Sequence, residues 1–265
     1  MDLQADAWGA FANAQRICGA LSEAEGSFSV AFQRWKNGSG SARLEAGLLA
    51  QLCSLRIFQR RFAEALDLAT RAERIFGGLG ARSQQAEVLI RRGIALSYSG
   101  EDEGAIDVLK EALPKLDREA DPRLFLAAHH NLIRCYIDLG RPDEALAIFY
   151  EARDRYQSCR DLLIVLRATW QEGQLLREVG HLRNAEAALL RARQGFEEQG
   201  LVYEAAMVCL DLGDVYWKLG QLDQLRRTLA QAVPIFRSLR AEQEVLASLL
   251  RLQQAAGLEP SGPPE

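Results

Sequence analysis

Alanine returns along this chain at a fixed step. Ala24, Ala65, Ala105, Ala145 and Ala185 stand at gaps of 41, 40, 40 and 40, and Leu225 completes the series. Seven residues beyond each lies another alanine: Ala31, Ala72, Ala112, Ala152, Ala192 and Ala232. A single globular core has no reason to repeat itself at a constant interval, whereas a stack of like units buries the same small contact once per unit. Five residues ahead of each leading position stands Gly19, Gly100, Gly140, Gly180 or Gly220, with Arg60 the exception, and an apolar residue follows at Leu21, Phe62, Leu182 and Leu222. Glycine supplies the left-handed conformation that ends one helix, and Pro142 suits the first turn of the next.

Upstream of these turns, Trp8 and Phe11, Leu49 and Leu52, Leu89 and Leu96, Leu132 and Tyr136, and Leu212 and Tyr216 have helical spacing. A small residue sits among them at Ala12, Cys53, Gly93, Gly173 and Gly213, which lets two helices approach closely. Each repeat therefore reads as an antiparallel helix pair, with bounds near 4–38, 42–79, 82–119, 122–159, 161–199 and 201–240. A thirteenth helix at 241–256 carries Val245, Leu246, Leu249, Leu250 and Leu252 as one apolar stripe, as expected of a terminal cap. Residues 1–257 are expected to form one array, and the proline-rich 258–265 a disordered tail. Pro114 and Pro234 each follow the repeat alanine by two residues and predict a bend or an early end of that helix. Helix one shows an apolar face at Trp8, Phe11 and Ile17 that looks less like a cap, so the N-terminal end is the expected place for self-association.

These residues resemble the tetratricopeptide repeat family. Leu132, Tyr136, Gly140, Ala145, Phe149 and Ala152 of the fourth repeat match its pattern, as do Leu212, Gly213, Tyr216, Gly220 and Ala232 of the sixth. The resemblance covers about residues 4 to 240 and implies an all-α, right-handed α-solenoid of six helix pairs plus a capping helix. The period of 40 exceeds the family's usual 34. Long repeats of this kind resemble those of bacterial regulatory and peptide-sensing members, and the family serves mainly as scaffolding for protein contacts. Members that hold a chaperone tail place a Lys four residues before an Asn in their first repeat. Here Gly9 precedes Asn13 and Ser54 stands where a second Asn is wanted, which speaks against that use.

Composition narrows the chemistry. The 265 residues carry 32 Lys plus Arg against 36 Asp plus Glu, a net charge of −4, so direct nucleic-acid binding is not expected. No apolar run approaches the roughly 20 residues of a membrane span, and a cytoplasmic location is expected. Five scattered cysteines without a CxxC pair read as small structural side chains. The three histidines, His129, His130 and His181, lack metal-ligand spacing, no nucleophile motif is present, and neither a cofactor nor an enzymatic activity is expected. His129 is expected between helices and His130 on the inner wall.

What remains is surface. The family pattern puts the first helix of every repeat on the concave face, and the resemblance carries its groove onto Asn13 and Arg16, then Ala50, Ser54 and Ile57. Glu87, Ile90, Ile94 and Ser97 follow, then His130, Arg134 and Ile137. The last two repeats supply Arg167, Trp170, Gln174 and Arg177, then Met207, Leu210, Asp214 and Trp217. Apolar side chains interleaved with Arg134, Arg167 and Arg177 predict a protein or peptide segment with apolar anchors and acidic groups. Three uses stay open at this point: an adaptor binding a segment in the groove, the peptide-sensing part of a larger bacterial regulator, and a self-assembling structural unit.

Overall fold

The computed structural model describes residues 1–117, 119–238 and 242–255. Among them the chain is helical, with no strand, and the helices follow one another in antiparallel pairs. They are α1 (Asp2–Ile17), α2 (Leu21–Lys36), α3 (Ala42–Phe58), α4 (Phe62–Gly78), α5 (Arg82–Tyr98) and α6 (Asp102–Ala112). Then come α7 (Pro122–Asp138), α8 (Pro142–Ser158), α9 (Leu162–Glu178), α10 (Leu182–Glu198), α11 (Val202–Lys218), α12 (Leu222–Ser238) and α13 (Glu242–Ala255). By contacts the chain divides into two compact units, Met1–Ile148 and Phe149 onward, with the division inside α8.

Within the first unit, α1 packs on α2, α3 on α4 and α5 on α6, and each second helix also meets the next first helix. First helices touch directly as well, α1 with α3, α3 with α5 and α5 with α7. The second unit repeats the scheme: α9 on α10, α10 on α11, α11 on α12 and α12 on α13, with α9 touching α11 and α11 touching α13. Each unit is thus an α-solenoid segment with a continuous row of first helices.

The alanine register is the seam of every pair. All eleven alanines and Leu225 are buried. Facing them, the small column lets backbones approach: a Cβ added at Gly93 would meet Leu109 Cγ at 2.7 Å, and one at Gly173 would meet Leu189 Cγ at 2.6 Å. The turns follow from the same register. At Gly140 (φ 68°) the chain turns left-handed, and Arg141 N–H donates back to the Tyr136 carbonyl at 2.8 Å, closing the helix end. Arg60 takes the same conformation at φ 58° without glycine's freedom, and Arg61 N–H closes on the Arg56 carbonyl at 2.8 Å.

The two prolines differ. α6 stops at Ala112, passes into a 3-10 turn over Leu113–Lys115 and leaves extended at Leu116, where Asp117 accepts from the Glu119 and Ala120 N–H groups. α12 runs through Pro234. The expected stripe of the last helix needs correction. α13 packs on α12 and α11, and among its described side chains Ser248 is buried, while Leu246, Leu249 and Leu250 are exposed. Ser248 stands one period after the buried Val208, so α13 keeps the register of the first helices. The expected tail at 258–265 lies outside the described residues.

Candidate functional site

The first-helix row of the Met1–Ile148 unit carries three arginines in different states. Arg16 on α1 donates from Nε and Nη2 to Asn13 Oδ1 at 3.0 and 2.9 Å and lies over the Phe58 ring of α3, 4.7 Å from its centroid. Arg91 on α5 donates to Ser54 Oγ at 2.9 Å and to Glu87 Oε1 at 2.8 Å, and its buried Nη1 has no hydrogen-bond partner. Arg134 on α7 donates to Ser97 Oγ at 3.0 Å, Ser97 donates in turn to Asp102 Oδ1 at 2.6 Å, and the guanidinium lies 4.4 Å over the Tyr98 ring. Burial, and then the like charge of Arg91, press the Arg16 pKa below the ordinary guanidinium value. Among the described residues, neither Arg16 nor Arg134 is paired with a carboxylate. The Cys53 thiol is pushed up to about 11 by burial, against the pull of the Arg91 charge, so it stays neutral near pH 7.

One cluster in the second unit's row is neutralised from within. Asp211 accepts from Trp170 Nε1 at 2.6 Å, from Gln174 Nε2 at 2.9 Å and from Arg177 Nη1. Arg177 also reaches Asp214 at 3.4 Å and Glu178 at 2.8 Å, and Arg251 of α13 grips Asp214 through Nε at 2.6 Å and Nη2 at 3.0 Å. Burial works against the Arg177 charge, but the Asp211 and Glu178 carboxylates outweigh it and hold its pKa above the ordinary value. This cluster is a closed set of donors and acceptors rather than an open anion site.

The expected groove residues therefore have different fates. Trp170, Gln174, Arg177 and Asp214 are brought into one network, Asn13 joins Arg16, and Glu87 joins Arg91. His130, Arg167 and Trp217 are exposed, while Ile137 and Met207 are partly buried. Ile57 is buried at its groove position, and Ile90 and Leu210 are buried too, which corrects their reading as presented anchors. First helices touch one another directly, so aliphatic side chains in these columns fill the seam. Ile94 is likewise packed partly against the core around Ala50, Cys53 and Val88. His129 is buried as expected, its Nδ1 2.9 Å from the Phe125 carbonyl and its ring 4.1 Å from that of Phe125. Cys18 is exposed, unlike the buried thiols of Cys53, Cys135 and Cys209.

Arg91, Asp211 and Arg251, with Phe58 and Tyr98, were missed by sequence reasoning. A signal existed: Gln51, Arg91, Asn131, Gln171, Asp211 and Arg251 recur at the repeat period, one residue after the column of Ala50, Ile90, His130, Trp170 and Leu210. A wholly polar column beside a mostly apolar one marks the rim of the wall. No group of three or more His, Cys, Asp or Glu among the described residues is arranged to hold a metal, and none of their helices is long and apolar enough to cross a membrane.

The family profile for the tetratricopeptide repeat matches residues 124–198. Comparison with curated proteins found no match. Among solved structures, the apo quorum sensor NprR from B. thuringiensis aligns with a TM-score of 0.76 at 16% identity, covering 98% of this chain and 72% of that one. NprR in complex with its cognate peptide NprX aligns at 0.63 and 15% identity, covering 99% and 76%. A Rap protein complexed with competence and sporulation factor aligns at 0.66 and 14% identity, covering 96% and 75%. At these identities the likeness is one of fold.

Proposed function

We propose that this chain, a tetratricopeptide-repeat protein, is a peptide-binding regulatory module that recognises a segment on the side chains of its first helices and performs no reaction of its own. The observation that carries the reading is a contrast between helices. Every repeat alanine of the second helices is buried, while the first helices keep His130, Arg134, Arg167 and Trp217 partly or fully exposed. Aromatic and arginine side chains concentrate binding energy when a partner excludes water from them. One of the aligned structures holds its cognate peptide and another is complexed with competence and sporulation factor, which favours sensing over a static scaffold. A cytoplasmic setting suits such a role.

The segment supplies apolar groups for Trp217 and acidic groups for Arg167, which is exposed and unpaired among the described residues. Arg177 contributes indirectly, by fixing the Asp211 cluster, because its charge is already met. The test is peptide display against the full chain, followed by affinity measurement with variants. Trp217→Ala and Arg167→Ala are expected to weaken a selected peptide by about 1–2 kcal/mol each, and Glu151→Ala on α8 to leave it unchanged. Failure to select any peptide, or binding lost in Glu151→Ala and kept in both wall variants, refutes the reading.

A further inference from the structure

One side of α1 is apolar along its whole length and lies open to solvent. At about 100° per residue, Leu3, Ala7, Ala10, Phe11, Ala14 and Ile17 fall within one arc of about 120°, and all six are exposed. Cys18, also exposed, lies in the same arc, and Gln4 and Asp6 mark its two edges, so no charged side chain stands inside it. Leu3, Ile17 and Phe11 are 87%, 67% and 52% exposed, and Trp8 meets Phe11 edge to face with centroids 5.8 Å apart. A helix at the surface ordinarily turns its polar side to water, and α1 does the reverse.

Later repeats show what this side of a first helix does. Ala7 stands in a column with Leu48, Val88, Ala128, Ala168 and Val208, and Ala14 in one with Leu55, Ala95, Cys135, Leu175 and Val215. Every later member is buried, and on α3, α5 and α7 the preceding second helix packs. α1 packs on α2 and α3, and the side that carries these columns is left open on it.

We propose that this side of α1 is a dimerisation surface, covered by α1 of a second copy of the chain running antiparallel about a two-fold axis between residues 10 and 11. The pattern complements itself in that register. Ala7 faces the partner's Ala14, Phe11 faces the partner's Ala10, and Leu3 meets the partner's Ile17 and Cys18. The alanines let the two helix axes approach to about 8 Å, and the larger side chains fill the centre and the ends. At roughly 200 Å² for a fully exposed large side chain, Leu3, Trp8, Phe11 and Ile17 with the three alanines offer about 600 Å² per copy. A pair then buries about 1,200 Å², the lower bound of specific interfaces, which fits a reversible dimer with a Kd on the order of micromolar. Helices that lie on membranes flank their apolar side with Lys and Arg, whereas Asp6 and Gln4 flank this one, which favours a second copy over a lipid surface.

Sedimentation equilibrium of the full chain from about 1 to 100 µM reads its mass against the 29.5 kDa of one copy. A concentration-dependent dimer is expected. Ala10→Glu sets two like charges beside the axis and is expected to weaken it about a hundredfold or more, with circular dichroism unchanged because the position is exposed. Leu249→Glu, at an exposed position of α13, is expected to leave the dimer as it was. Crosslinking in a Cys18→Ser/Cys159→Ser background reads the register. Oxidised with copper phenanthroline, Ala7→Cys/Ala14→Cys is expected to form a covalent dimer. Ala7→Cys alone is expected to form none, since its two copies lie about 10 Å apart along the helix axes. Within one chain the two positions are about two turns apart and cannot bridge. A chain still monomeric at about 100 µM gives this side of α1 to a different partner and overturns the proposal. So does a dimer indifferent to Ala10→Glu, a dimer lost in Leu249→Glu, or a crosslink in Ala7→Cys alone.

Discussion

Removing one carboxylate tests whether the second unit's wall is held together by its own charges. Asp211 and Arg177 are 13% and 15% exposed at their side chains, so their contacts are largely shielded from water. Asp211→Ala leaves the Trp170 indole N–H and the Gln174 amide without their acceptor, at about 1 kcal/mol each. It also takes from Arg177 its most buried counter-charge. A buried ion left unpaired costs about 3–5 kcal/mol, but Arg177 keeps Asp214 and Glu178, which reduces that to about 1 kcal/mol. The expected loss is therefore about 3 kcal/mol, or about 6–12 °C in Tm for a chain of this size. Urea unfolding followed by circular dichroism and tryptophan fluorescence reads it directly. The double variant Asp211→Ala/Arg177→Met is expected to be less destabilised than the sum of its singles by about 1 kcal/mol or more, since the second change removes the orphaned charge. A loss below about 0.5 kcal/mol, or strict additivity, would refute the network as a unit.

The glycines of the close-packed column should behave unequally: Gly173→Ala meets both the Leu189 side chain and its backbone nitrogen at 3.2 Å and is expected to lower Tm, whereas Gly213→Ala meets the Leu229 side chain no closer than 3.3 Å and is expected to hold or raise it. Arg60→Gly relieves a left-handed residue and is expected to stabilise by about 0.5–1 kcal/mol in calorimetry, and a lower Tm would mean that the Arg60 stacking over Phe62 outweighs the strain. Hydrogen bonds from Arg56, Gln59 and Arg61 hold the Glu25 carboxyl below its ordinary 4.5. A folded pKa below the unfolded one contributes stability above the unfolded value and loses it as pH falls through the folded one. Denaturant midpoints at pH 6 and pH 3.5 are thus expected to differ less in Glu25→Gln than in the parent chain, and identical pH dependence would dismiss the contribution.

Periodic residues determined the architecture by themselves. An alanine buried at the same point of every pair, and a glycine turning left-handed at the end of each first helix, act through local geometry and nearest-neighbour packing, so their spacing alone states the helix pairs and their bounds. Even Arg60, the one break in the glycine series, takes the conformation its position demands. Which first-helix side chains face solvent was decided only in the tertiary structure. Ile90 and His130 stand one period apart, yet Ile90 fills the seam between first helices and His130 is exposed, because the seam accepts an aliphatic group and not a polar ring. Charge behaves the same way. Arg134 and Arg177 look alike as residues in a sequence, but Asp211, some 34 positions from Arg177, lies against it across the helix row, while Arg134 meets a serine and a tyrosine ring and no carboxylate among the described residues. Pairing between side chains on different helices depends on distances that no repeat period encodes, and those distances separate an arginine neutralised by its own chain from one that meets no carboxylate among the described residues.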